Sequence, residues 1–363
     1  MTAMAEPPAR VREAIERCAR AALIFDEVRL AENAARIAAA ARAADLRALF
    51  AVKSFPHPRA IAIAAAALDG FDVASPGELA LVPASASAIV SVADPTGLAI
   101  ARARAARVIV ACETIEQVAA APPGAAIAIR ISASLTERDP AIGAIHDGDG
   151  RRRSRFGLDD PAQIAALAAA ARADARALGL HVHHGPVTAT SAARFIATAR
   201  AALELAARAG VAPAFVDLGG AWHGIADLAV AFAEIRAALP RELELIVEPG
   251  RALAAGAGFA CGLVRAARTL GGGGDRELRV VDLSRTAHLR WSPIELVARA
   301  PHAGAGRRVI VVGPTCYEED VLGEWTVEPA ALDRRVVVSG VTGYALAWNT
   351  GFGGVPPADV VFA

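Results

Sequence analysis

The sequence predicts an α/β chain, a (β/α)8 TIM barrel followed by a mainly-β C-terminal domain. Three observations carry that prediction. Eight apolar runs, the first at Leu46 and the last ending at Val247, alternate with Ala-rich segments of helical periodicity. The runs are nearly continuously apolar, as strands covered by helices on both faces must be, and that count suits a closed barrel better than an open doubly wound sheet. After Arg251 the helical periodicity thins and strand-like runs take over. At 363 residues the chain has room for one barrel and a smaller unit.

In order, residues 21–25 (AALIF) read as a short strand, and a helix follows through Ala43 with Leu30, Ala34, Ile37 and Ala41 at helical spacing. Barrel strands are expected at 46–52, 70–75, 88–92, 107–111, 126–131, 180–184, 214–218 and 243–247. Beyond the barrel, runs at 278–283, 308–312 and 335–338 build the second domain, and the N-terminal strand joins it because it precedes the barrel units. The expected division is a barrel of residues 28–250 and a mainly-β domain of residues 1–27 and 251–363. Residues 271–274 form a flexible glycine loop, and the polar stretch 132–155, with Arg151-Arg152-Arg153, is either a solvated loop or a lid.

Lys and Arg together number 38, equal to Asp and Glu, so no basic surface argues for nucleic acid or an acidic membrane. Hydrophobic residues make up 55%, a figure inflated by Ala, which suits helices covering a sheet. No apolar run reaches the ~18 residues of a membrane helix. The N-terminus alternates charges with Ala and has no signal-peptide core. Cys18, Cys112, Cys261 and Cys316 are scattered and match neither a zinc spacing nor a secreted disulfide framework. A reduced, cytoplasmic protein is expected.

Strand ends are where a barrel does its chemistry. Glu248-Pro249-Gly250-Arg251 closes the last barrel strand and offers a carboxylate beside a guanidinium able to hold a phosphate bidentately; an exposed turn has the same composition. Lys53 follows the first barrel strand, where it either snorkels to water or is desolvated enough to form a Schiff base. His181 and His183 alternate onto one strand face and His184 onto the other. They suit a metal, core packing, or a neutral imidazole lying flat on an aromatic ring. Asp217-Leu218-Gly219-Gly220 ends the seventh barrel strand, and paired glycines either form an ordinary turn or bring backbone N–H groups to a phosphate. The loops after the seventh and eighth strands, here Gly219-Gly220 and Gly250-Arg251, are the usual phosphate site of such barrels. In the C-terminal domain, Gly313-Pro314-Thr315-Cys316 suggests an exposed thiol, followed by Tyr317-Glu318-Glu319-Asp320. Tyr344 opens an aromatic stretch with Trp348 and Phe352, for which core packing is the plain reading.

Taken together, Phe50-Ala51-Val52-Lys53, Gly70-Phe71-Asp72-Val73-Ala74-Ser75 with Glu78, Leu180-His181-Val182-His183-His184-Gly185, Asp217-Leu218-Gly219-Gly220, Glu248-Pro249-Gly250-Arg251, Gly313-Pro314-Thr315-Cys316 and Gly343-Tyr344 resemble, in order and spacing, the fold-type III pyridoxal-phosphate decarboxylases. That family includes the diaminopimelate and ornithine/arginine decarboxylases, on an alanine-racemase-type barrel, and the resemblance runs from about Leu23 to the C-terminus. It implies pyridoxal 5'-phosphate as cofactor and decarboxylation of an amino acid through an external aldimine and a quinonoid carbanion. Lys53 matches the Schiff-base lysine, His183 the histidine stacked on the ring, and Glu248 the acid facing the pyridine nitrogen. Gly219, Gly220, Gly250, Arg251 and Tyr344 match phosphate contacts, and Asp72 with Arg130 a polar pair near the lysine. Cys316 matches the cysteine that protonates the carbanion from across a head-to-tail homodimer.

The chain departs from the family at three places. Pro186 stands where a phosphate-binding Ser is usual, with Thr188 as a nearby substitute. Tyr317 replaces the acidic residue that holds a distal amine in diamine-forming members, which argues against lysine, ornithine or diaminopimelate. The usual third glycine is Ala221, followed by Trp222-His223. Arg290 aligns with an arginine that binds a distal carboxylate, and Asp320 is a further substrate contact to consider. The substrate expected is an amino acid or a biosynthetic intermediate of siderophore or other secondary metabolism. A racemase is the second reading, weakened by Glu248 where racemases carry an arginine. A non-catalytic cofactor-binding homologue is the third, weakened by the presence of Lys53 and Cys316.

Overall fold

In the computed structural model, eight parallel strands close into a barrel: β2 (Leu46–Ala51), β3 (Gly70–Val73), β4 (Ile89–Val92), β5 (Arg107–Cys112), β6 (Ala126–Ile131), β7 (Leu178–Val182), β8 (Phe215–Asp217) and β9 (Glu244–Val247). The structure describes residues 6–83, 89–132, 145–146, 152–183, 191–271, 276–298 and 306–363. The ring closes where β9 pairs with β2, Leu245 opposite Leu46. Leu49, Ile89, Ile109, Ala126, Ala128, Phe215 and Ile246 fill its interior as one cluster. Such a packed centre is a core and leaves chemistry to the strand ends. Helices between the strands start on local caps: Ser75 accepts from the amide of Glu78, and Thr114 with Gln117 forms a reciprocal capping box.

The chain divides into two compact units, Asn33–Leu253 and the remainder, Met1–Glu32 with Ala254–Ala363. The second unit is built on an eight-stranded sheet. Its members are β1 (Ala22–Phe25), β10 (Gly258–Thr269), β11 (Arg276–Val281), β12 (Glu295–Leu296), β13 (Arg307–Val312), β14 (Val321–Val327), β15 (Arg335–Ser339) and β16 (Asp359–Phe362). Strand β1 lies between β10 and β16, so the N-terminal strand joins the C-terminal sheet as the sequence predicts. Arg10 fixes this end by a two-pronged hydrogen bond to Asp26, at 2.8 and 2.7 Å. No described helix is long and apolar enough to cross a membrane.

Three elements were not legible beforehand. The helix Ala9–Arg17 buries Val11, Ala14 and Ile15, a helical stripe that the surrounding charges obscure. Strand β10 is rich in Ala and Gly, yet pairing with β1, β11 and β15 overrides that propensity. Strand β16 is too short to declare itself. Strand limits move by at most two residues from expectation; β2 stops at Ala51 because Val52–Ser54 turns into a 3-10 helix, and that turn carries Lys53. Residues 184–190 with His184, Pro186 and Thr188, most of the 132–155 stretch, and residues 272–275 lie outside the described residues.

Candidate active site

The strand register shows which side chains look into the barrel. Arg130 lies opposite His181, His181 opposite Asp217, and Asp217 opposite Ile246. Residues paired in a parallel ladder share a face, and Ile246 belongs to the interior cluster. Arg130, His181 and Asp217 therefore point inward at the C-terminal ends of their strands, with Glu248 two residues beyond Ile246 on the same side. Asp72 pairs with Ala51 on the other flank, immediately before the Lys53 turn.

Lys53 Nζ lies 3.0 Å from Asp72 Oδ2. Asp72 is fully buried and its Oδ1 has no hydrogen-bond partner. Burial first, then the charge of Glu248, pushes the Asp72 carboxyl up to about 7, against the pull of Lys53. The lysine is held, not snorkelled: its amine has a fixed buried partner while a third of the side chain stays open to solvent.

At the end of β9, the strand next to β2, Glu248 is buried between two histidines. His181 Nε2 is 3.5 Å from its Oε1 and His183 Nδ1 is 3.8 Å from its Oε2. The two imidazoles are parallel within 2°, with centroids 6.3 Å apart. Burial lowers the pKa of both histidines, and Lys53 depresses His183 further, so both rings are neutral. Burial works to raise Glu248, but His181 and the ammonium of Lys53 outweigh it and favour the carboxylate. The amide of Gly220 donates to His183 Nδ1 at 3.1 Å, which assigns the ring proton to Nε2. His181, His183 and Glu248 each offer a donor atom within 4.8 Å of the others, a spacing a metal ion also needs. The ammonium of Lys53, close enough to depress His183, opposes a dication there.

The glycine loop differs from expectation in one respect. Gly219 N–H donates to Asp217 Oδ1 at 2.9 Å and Gly220 N–H to His183, so neither amide is directed at a phosphate. Their small size instead admits His183: a Cβ on Gly219 would meet His183 Nδ1 at 2.6 Å. Ala221 holds the left-handed conformation at φ 76°. The next residue, Trp222, anchors the loop by stacking on Phe195 at 3.8 Å and donating from Nε1 to Gly219 O at 2.7 Å. Gly250 answers to packing too, since a Cβ there would sit 2.8 Å from Ser54 Cβ, on the Lys53 turn. Arg251 opens the next 3-10 turn, half-buried, and its charge, after burial, lowers His223 to about 4.

Arg130 was expected to pair with Asp72. Its ion pair is with Glu113, Nη1 to Oε1 at 3.5 Å, and its guanidinium lies 4.2 Å from the Phe156 ring centroid. Asp72 acts on it only as a more distant charge. Glu113 went unremarked in the sequence, although it directly follows β5 and so occupies a strand end. His181 and Asp217 were visible there within motifs but had no role assigned.

The remaining candidates lie in the second unit. Cys316 is exposed, as its Gly-Pro turn suggests. Tyr317 is 52% exposed and tilts against Phe352, centroids 5.1 Å apart. Asp320 requires a correction. Its carboxylate is buried and takes Ser284 Oγ, the amides of Arg285 and Thr286, and both the amide and hydroxyl of Thr315. With both oxygens filled it clamps two loops and has no capacity for a substrate. Arg290 is exposed, its guanidinium 4.5 Å from the Trp348 ring centroid. Trp291 stands edge-on to Tyr344 at 5.4 Å and to Trp348 at 5.2 Å. Trp291 and Phe352 are largely exposed, so this aromatic stretch is not core.

Comparison with known proteins bears on this arrangement. The family described as "Pyridoxal-dependent decarboxylase, pyridoxal binding domain" matches residues 29–255. A diaminopimelate decarboxylase of Deinococcus radiodurans is 28% identical over 330 residues, covering 88% of this chain and 84% of that protein. Among solved structures, the Paramecium bursaria Chlorella virus arginine decarboxylase bound to agmatine superposes with a TM-score of 0.78 at 15% identity, covering 98% of this chain and 100% of its own. The Helicobacter pylori diaminopimelate decarboxylase complexed with L-lysine gives 0.77 at 17% identity, covering 97% and 93%.

Proposed function

This chain belongs to the pyridoxal-dependent decarboxylases, and we propose that it removes CO2 from an amino acid, or an amino-acid-containing biosynthetic intermediate, whose distal end is not a simple amine. Pyridoxal phosphate, when bound, supplies an electron sink for the charge left on Cα as the carboxylate departs. The described residues fit that cofactor. Glu248 Oε1, both ring nitrogens of His181 and Asp72 Oδ1 are buried polar atoms lacking hydrogen-bond partners, and Lys53 lies among them. A flat cationic ring with an aldehyde at its far end answers both groups. The observation that carries the reading is this grouping at adjacent strand ends, an amine on a buried aspartate and a buried carboxylate between neutral histidines.

In this reading Lys53 attaches the cofactor and Asp72 holds the amine in place. His183, uncharged, packs its imidazole on the ring face. Glu248 keeps the ring nitrogen protonated by its negative charge. Gly250, Arg251 and Tyr344 serve the phosphate, with the amides of Gly219 and Gly220 available only if their present acceptors are released. Arg130 sets the charge near the lysine through Glu113. Cys316, from the partner of a head-to-tail homodimer, returns a proton to Cα. Tyr317 in place of an acid, with Asp320 already filled, disfavours a distal ammonium, and Arg290 favours a carboxylate. A cytoplasmic enzyme of siderophore or other secondary metabolism suits these choices.

Two measurements test the reading. Lys53→Ala should abolish the visible absorbance of the attached cofactor, and an unchanged spectrum would remove Lys53 from its role. Release of CO2 from a panel of amino acids, with products read by mass spectrometry, should identify a substrate lacking a free distal amine; racemised but intact substrate would instead establish the second reading.

A further inference from the structure

Asp217 has no role in the proposed reaction, yet it is as deeply buried as any group in the site. It ends β8, faces the barrel interior, and packs beside the strand that carries Glu248. Its Oδ1 takes the amide of Gly219, while its Oδ2, with no solvent, has no hydrogen-bond partner. Glu248 Oε1 is in the same condition. The two loops are tied together next to these atoms, because Glu248 N–H donates to Gly219 O at 2.8 Å, and Asp217 pairs with Ile246, two residues before Glu248 on the neighbouring strand, which sets the two carboxyls side by side. Two buried acceptors face to face are repulsive when both are ionised, whereas one proton between them satisfies both.

We propose that Asp217 and Glu248 share one proton, resident on Asp217, and that Asp217 is a positioning residue that donates a hydrogen bond to Glu248 and holds it as an oriented carboxylate. The surrounding charges decide which oxygen keeps the proton. Against its burial, Glu248 has His181 on β7 and Lys53 on the turn after β2, which favour its ionised form, with the neutral His183 beside them. Burial, then the charges of Glu248 and of Asp72 on β3, oppose the ionisation of Asp217, with only the Gly219 amide in its favour. Arg130 on β6 is committed to Glu113. The link to catalysis rests on the reading of Glu248 as the partner of the ring nitrogen, but the shared proton does not.

The experiment separates the two. Infrared difference spectra of the protein as purified against Asp217→Asn, in D2O at neutral pH, should show a protonated-carboxyl band lost with Asp217, distinct from any band of Asp72, which Asp72→Asn removes and Asp217→Asn keeps. An asparagine can reproduce the protonated acid, its Oδ1 accepting from Gly219 and its Nδ2 donating to Glu248. Asp217→Asn should therefore stay within about threefold of the parent in pyridoxal-phosphate affinity, whereas Asp217→Ala, lacking a donor to a charged group, should lose about ten- to a hundredfold. Absence of the band, or an Asn variant as damaged as the Ala variant, would overturn the proposal. The band with no cofactor binding by any form would leave the shared proton standing and sink the reading of the site instead. Should Asp217→Ala not fold, the band and the Asn variant still decide.

Discussion

Ala221 gives the sharpest test of the backbone reasoning. It holds φ 76° in the glycine loop that carries His183's amide partner. For a residue with a Cβ that conformation costs about 1–2 kcal/mol, while glycine adopts it freely. Against this, glycine loses more chain entropy on folding, about 0.4–1 kcal/mol relative to Ala. The difference favours glycine, so Ala221→Gly should stabilise the protein by about 1 kcal/mol. A shift of that size raises the melting temperature by about 2–4 °C if the barrel unit unfolds by itself. Denaturant unfolding followed by tryptophan fluorescence reads it directly, since Trp222 is the next residue and is buried on Phe195. Ala197→Gly, in the exposed middle of the helix Ala192–Arg208, is the control and should move the other way by about 1 kcal/mol. Equal destabilisation by both substitutions would refute the strain argument.

The folded state keeps His223 neutral down to about pH 4, whereas an unfolded histidine takes a proton near its usual 6.5. Stability should therefore be full above that range and fall as pH drops from about 6.5 toward 4; His223→Gln should flatten this limb in unfolding curves, and an unchanged slope would count against burial as the cause. Asp320→Asn should cost about 3 kcal/mol or more, read by chemical unfolding, because an amide nitrogen replaces an oxygen now filled by donors. A near-silent substitution would mean that the clamp is dispensable. Glu248→Ala should retain cofactor absorbance and lose most CO2 release; near-normal turnover would refute the electron-sink role.

How much of this was legible beforehand differed by element. The barrel was readable because buried parallel strands are continuously apolar and their helices periodic, as in β6 with every residue buried. Lys53, His183 and Glu248 were readable because strand ends are a restricted set of positions. Strand β10 was not, since its Ala and Gly content points to helix and turn until its neighbours are known. The Arg130 partnership was misjudged because Glu113 lies on the adjacent strand, and sequence distance carries no information about which carboxylate arrives. Asp320 was misjudged for a related reason: an acid near a reactive cysteine reads as functional until its donors are counted. The glycines also answer to packing against His183 and Ser54, a demand that the spacing Gly219-Gly220 and Gly250 does not reveal.

The β9–β2 pairing joins the last barrel strand to the first, and Glu248 and Lys53 sit on either side of that seam. During synthesis the amine emerges with the first barrel strand and the acid only after the last, so a growing chain possesses half a site until the whole barrel has been made. Neither half can recognise the ring alone, and the loop to be closed between them is long, which makes this contact slow to form. In the proposed roles of Lys53 and Glu248, cofactor uptake reports completed ring closure: by mass action it would stabilise only chains whose seam has formed. A chain that ended before β9 would keep its lysine and have no acid to set against it.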